Sequence, residues 1–117
     1  MDQFFLYDRP GPTPDLGRRK DGRDYLILDA QGRAVGIRVD EGEDFKLSYR
    51  PTRPLLDDSY TLYIDDFSGH ELTSFPAVKD GSYRLSCCVE NTLSYGVYRL
   101  TVRGGREVTF RGILSVG

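Results

Sequence analysis

The stretch that decides the fold is Gly96–Val116, "GVYRLTVRGGREVTFRGILSV". Tyr98, Leu100 and Val102 alternate with Arg99, Thr101 and Arg103, the two-residue period of a strand with one face in a core. Gly104 and Gly105 interrupt the pattern, and Val108, Phe110, Leu114 and Val116 then resume the inward phase. The spacing predicts a hairpin closed by a two-residue turn with positive φ at both glycines, a conformation that costs glycine little. Gly112 falls in the inward phase, which predicts a bulge or a close backbone approach there.

The same period recurs upstream. "DFKLSYR" puts Phe45, Leu47 and Tyr49 on one face, and "YTLYID" does so for Tyr60, Leu62 and Ile64. "SYRLSCCV" places Tyr83, Leu85, Cys87 and Val89 inward, and a short strand is expected around Glu71 to Phe75. "DYLILD" and "AVGIRV" flank "DAQGR", where Gly32 suits a left-handed turn position, so these segments predict another hairpin. "DFSGH" and "KDG" read as turns, and "PTRPLLDDS" as a proline-broken crossover. No segment holds a 3.6-residue period over ten residues. About seven to eight short strands with turn signals every 8–12 residues predict an all-β sandwich or barrel, and of the two an antiparallel sandwich is expected. Its expected core is Leu47, Leu62, Leu85, Cys87, Tyr98, Leu100, Val102 and Phe110.

The first part of the chain follows another rule. "DRPGPTPDLGRRKDGRD" holds Pro10, Pro12 and Pro14, and proline lacks the N–H and pushes its predecessor toward extended backbone. Residues 1–23 therefore read as an extended arm with an apolar tip, Phe4, Phe5, Leu6 and Tyr7, and residues 24–117 as the sandwich domain. Arg18, Arg19 and Lys20 add a basic patch suited to an acidic protein surface, although a run of this kind is also what a solvated loop carries. Tip and patch are the candidate partner-binding residues.

Composition narrows the classes. The 117 residues suffice for one domain. Sixteen basic against eighteen acidic residues give a net charge of −2, which argues against nucleic acid as a partner. No apolar run approaches the roughly 18 residues of a membrane span, and "MDQFFLYDRP" does not read as a signal peptide. Cys87 and Cys88 are adjacent on a strand, point to opposite faces and cannot readily bridge each other. The expectation is two free thiols and synthesis in a reducing cytoplasm. With eight Tyr and six Phe and no Trp, aromatic rings must fill the larger core volumes.

"LSYGVYRLTV", with Leu93, Gly96, Tyr98, Leu100 and Val102, resembles strand F of immunoglobulin-like sandwiches, where the tyrosine hydrogen-bonds back across the corner. The layout from Val39 to Val116 resembles the immunoglobulin-like modules of phage tail and baseplate proteins. That resemblance implies a non-enzymatic structural component of a bacteriophage particle, in the tail, baseplate, decoration or head fibre. It also implies synthesis in the host bacterial cytoplasm, residence in the virion, and other virion proteins as partners in a homo- or hetero-oligomeric assembly. The alternative is a small binding module for carbohydrate, or an inhibitor of a host protein.

Chemistry-bearing groups are sparse. His70, the lone histidine, sits beside Asp65, Asp66 and Glu71 in an acidic turn, a pattern that solvated turns share and that is no transition-metal cluster. Asp40, Glu41, Glu43 and Asp44 adjoin one another, with no sign of a cleft between paired carboxylates. Cys87 reads as a small core residue. No nucleophile has a plausible base, so no catalytic, metal or cofactor site is expected. Tyr63 faces outward, and Phe67 and Phe75 sit at turn or edge positions. They are either covered by the sandwich or mark a contact surface.

Overall fold

The computed structural model describes residues 2–7, 27–28, 34–51 and 54–117. Among them there are nine strands and no helix: β1 Asp2–Tyr7, β2 Ile27–Leu28, β3 Ala34–Val39, β4 Phe45–Arg50, β5 Tyr60–Asp65, β6 Glu71–Lys79, β7 Leu85–Val89, β8 Gly96–Arg103 and β9 Val108–Val116. The protein is all-β, as the period-2 patterning predicts.

The strands hydrogen-bond in the order β1-β4-β7-β6-β5-β8-β9-β3-β2. Most neighbours are antiparallel, but β1 runs parallel to β4 and β3 parallel to β9. The sheet is therefore mixed, which corrects the expectation of a purely antiparallel arrangement. Alternation records which face a residue takes and is silent on the direction of the neighbouring strand. The β2–β3 pair is antiparallel, in agreement with the upstream hairpin, and Gly32 lies outside the described residues.

β6 joins the two arms of the sheet. Its first part pairs with β5, Leu62 opposite Phe75, and its end pairs with β7, Val78 opposite Ser86. It is longer than the Glu71–Phe75 strand expected, because Pro76 does not end it: Pro76 pairs with Thr61 within the ladder. The sheet curls so that β4 and β7 face β5, β8 and β9 across one apolar core. Tyr49 of β4 crosses that core, with its ring centroid 5.2 Å from that of Phe110 and its hydroxyl donating to the Thr109 carbonyl at 2.7 Å. β1 comes alongside β3, so the curl nearly closes.

Leu47, Leu62, Leu85, Cys87, Leu100, Val102 and Phe110 are buried, and Tyr98 is half-buried against them. Two further inward assignments fail. Tyr83 is 52% exposed because β7 begins only at Leu85, and Val108 is 45% exposed beside the turn of the terminal hairpin, past the register shift at Val102/Arg103. That hairpin also differs from expectation. The four residues Gly104–Glu107 form its turn, closed by Gly104 N–H donating to the Glu107 carbonyl at 2.9 Å. Neither Gly104 nor Gly105 has positive φ, whereas Gly42, Gly69, Gly81 and Gly96 do. Gly112 pairs regularly with Leu100, and the register shift falls between Val102 and Arg103.

Candidate interaction surface

Phe4, Phe5, Leu6 and Tyr7, the tip of the expected arm, lie in β1 at the outer edge of β4, in register with Leu47, Ser48, Tyr49 and Arg50. Arg18, Arg19 and Lys20 lie outside the described residues.

The clearest convergence of side chains is on the outward face of β5, β8 and β9. The alternation that buries Leu62, Leu100 and Val102 turns Tyr63, Arg99, Thr101 and Arg103 away from the core. Register aligns them: Tyr63 stands opposite Thr101, and Thr101 opposite Arg111 on β9. Asp65 stands opposite both Arg99 and Glu71. These residues line a concavity of ≈ 440 Å³, with the two carboxylates at one corner.

The three arginines are exposed, and none forms an ion pair among the described residues. The Arg103 guanidinium carbon lies 4.2 Å from the Tyr63 ring centroid, and that of Arg99 lies 5.6 Å from the Phe67 ring. Such cation–π contacts are worth about 0.5–1 kcal/mol at exposed sites and restrict the side chains without neutralising them. Arg99 Nη2 also donates to the Asp66 carbonyl at 3.5 Å. Phe67 is exposed, while Phe75 is half-buried against the core and does not contribute to this face.

On this face the sequence alone marks Tyr63 as a contact residue and does not mark Arg99, Arg103 or Arg111. The signal was available, since Arg99 and Arg103 occupy the outward phase of β8. Arg111 required knowing that β9 pairs with β8 so as to bring it opposite Thr101.

The other clusters are structural. Asp57 is buried between the crossover and the terminal turn, and its carboxylate accepts from Arg106 N–H at 3.0 Å, Arg106 Nε at 2.9 Å and Glu107 N–H at 3.2 Å. The Arg106 N–H, more than any other group, holds that carboxyl below its ordinary range, against the opposing effect of burial. Arg106 Nη2 donates to the Leu56 carbonyl, and Leu56 N–H donates to Glu107 Oε2 at 2.9 Å. Asp57 N–H donates to the Tyr60 hydroxyl at 2.9 Å. A carboxylate held as an anion by three donors is a latch and is badly suited to trading protons near neutral pH.

Asp66 organises the acidic turn, accepting from Ser68 N–H at 2.9 Å and His70 N–H at 3.0 Å, with the His70 ring Nδ1 3.4 Å from its other oxygen. No group of three or more His, Cys, Asp or Glu able to hold a metal occurs among the described residues. The acidic run of residues 40–44 ties down the β7–β8 connection: Asp44 Oδ1 accepts from Asn91 N–H at 2.9 Å, and Glu41 Oε2 from Tyr95 N–H at 2.8 Å. Cys87 is buried and Cys88 exposed, both as free thiols. Burial pushes the Cys87 thiol up to about 12. No helix among the described residues is long and apolar enough to cross a membrane.

No family model and no curated protein matches the chain. Among solved structures, a laccase from Botrytis aclada is similar at 15% identity and a TM-score of 0.39, over 97% of this chain and 28% of the laccase chain. The chain thus spans well under a third of the length of that neighbour.

Proposed function

We propose that this chain is a non-enzymatic interaction module of the immunoglobulin-like type, acting as a structural component of a bacteriophage particle. In this reading it is made in the host cytoplasm and joins neighbouring virion proteins through its sheet surfaces. The observation that carries the interaction reading is the outward face of Tyr63, Thr101, Arg99, Arg103 and Arg111. Arginine and tyrosine are enriched at protein interfaces because they offer broad contact area together with directional hydrogen bonding.

Strand pairing supports the immunoglobulin-like part. β4–β7, β5–β8 and β8–β9 are antiparallel while β3 joins β9 in parallel, and β6 passes from one arm to the other. The tyrosine expected to bond back across the corner does so: Tyr98 OH donates to the Ser94 carbonyl at 2.7 Å. Gly96 beside it has φ +156° and sits against the Tyr98 ring. A sugar-stacking role is less well supported, because Arg103 already covers the Tyr63 ring.

Quantitative mass spectrometry of purified particles from infected cells tests the particle role. The chain is expected at a copy number fixed relative to the major structural proteins. Its absence from particles, together with stoichiometric capture of a host protein from the same cells, would replace this role with that of a host inhibitor.

A further inference from the structure

The arrangement of the three arginines carries more than a general contact surface. Arg99 and Arg103 lie four residues apart on β8, with Thr101 between them in the same outward phase and Arg111 directly opposite Thr101. A strand rises about 3.3 Å per residue, so the arginines mark three levels about 6.6 Å apart along one direction. That is the spacing of same-side side chains at positions i, i+2 and i+4 of an extended peptide. Each guanidinium is a planar fork matched to a carboxylate, and none has a carboxylate partner among the described residues.

We infer that this concavity binds an extended acidic segment of a partner protein, with carboxylates at every second residue facing Arg103, Arg111 and Arg99 in turn. This rests on reading the face as a contact surface. Asp65 stands directly opposite Arg99 and Glu71 opposite Asp65, so the groove is acidic along one flank at that end, and the segment follows its third acid with a long cationic side chain that reaches back to them. A nucleic acid fits less well. Its phosphates repeat along the strand with no cationic group among them, so Asp65 and Glu71 would face unrelieved negative charge at the Arg99 end.

The test uses the full chain and fluorescein-labelled peptides read by anisotropy: Glu-Ser-Glu-Ser-Glu-Ser-Lys and the block peptide Glu-Glu-Glu-Ser-Ser-Ser-Lys of equal charge. The alternating peptide is expected to bind at least tenfold tighter than the block peptide. The doubly substituted Arg103→Ala/Arg111→Ala chain should lose at least tenfold in affinity, and Arg84→Ala, away from the groove, should lose nothing. Arg111→Gln alone serves as a second variant if the double one misfolds, because the Arg111 side chain makes no hydrogen bond or ion pair among the described residues.

Equal affinity for the two peptides, or unchanged binding by the double variant, overturns the inference. Tighter binding of single-stranded RNA or of a sulfated oligosaccharide than of the alternating peptide does so too. Incorporation of the double variant into particles separates the two readings. If the peptide fails while the double variant is still excluded from particles, the face remains a contact surface for a partner of other chemistry. If the variant also incorporates normally, the contact-surface reading falls with it.

Discussion

A side chain at position 104 would collide with Asp57: a Cβ built on Gly104 lies 2.6 Å from Asp57 Cβ and closer still to its Oδ2. The glycine that reads in sequence as a turn-former is required for a different reason, close approach of a carboxylate to backbone. Gly104→Ala is therefore expected to destabilise by about 1–3 kcal/mol, the usual cost of overpacking a tight site. Gly105→Ala has open space around it and no positive φ, so it should be near neutral. Chemical denaturation of the two variants checks this. Equal effects would mean that the contact with Asp57 is relaxed at no cost.

The same latch gives stability a pH dependence. The Arg106 N–H, aided by its guanidinium and the Glu107 N–H, lowers the Asp57 pKa in the folded state. The unfolded chain then takes up the proton at a higher pH than the folded one. The stabilisation is whole above the ordinary carboxylate value of about 4 and drains away as pH falls through it toward the lower folded-state value. Asp66, held low chiefly by the His70 N–H, acts in the same direction. Asp57→Asn should melt below the wild type at neutral pH, with the two curves converging in acid. A constant offset across the acid range would remove the charge argument.

Much of the fold was legible because burial in this chain follows the two-residue period closely. Phe45, Leu47 and Tyr49, then Tyr60, Leu62 and Ile64, are buried as their alternation requires. The Tyr98 corner was legible too, because a tyrosine two residues after a glycine at the start of a strand is a local motif. What escaped was non-local. Nothing near Gly104 announces that Asp57, some fifty positions upstream, will occupy the space of its missing side chain. The parallel pairings of β1 with β4 and of β3 with β9 are likewise invisible to periodicity, since they depend on where the chain returns. The arginine groove combines both cases: its outward phase was written in β8, but its convergence depends on the register with β9.

Cys87 and Cys88 should differ sharply as reagents see them. The thiolate is the reactive form, and burial that raises the Cys87 pKa to about 12 leaves almost none at neutral pH. Cys88 faces solvent in the next position of the same strand. Titration of the native, unreduced protein with a thiol reagent at mildly alkaline pH is expected to modify Cys88 promptly and Cys87 only after denaturant is added. Two fast thiols would mean that β7 opens readily, and none in denaturant would reveal a bridge.

The last prediction concerns β1. Six residues, Asp2–Tyr7, pair in parallel with Phe45–Arg50 and cover the outer edge of β4. An uncovered strand edge is a template for pairing with another chain. The buried residues of β4, β5, β7, β8 and β9 pack on one another around a common core. Removing residues 1–7 is therefore expected to leave the far-UV spectrum of a β protein while opening the β4 edge. Amide exchange should accelerate within Phe45–Arg50 and not within Leu100–Val102, and light scattering should show larger species as concentration rises. A synthetic peptide of residues 1–7 added in excess should restore both protection and monomer by re-forming the ladder. If the shortened chain stays monomeric with unchanged exchange in β4, the edge is not covered by β1 in solution. If it unfolds outright, β1 belongs to the cooperative core, and treating residues 1–23 as an arm separate from the domain is wrong.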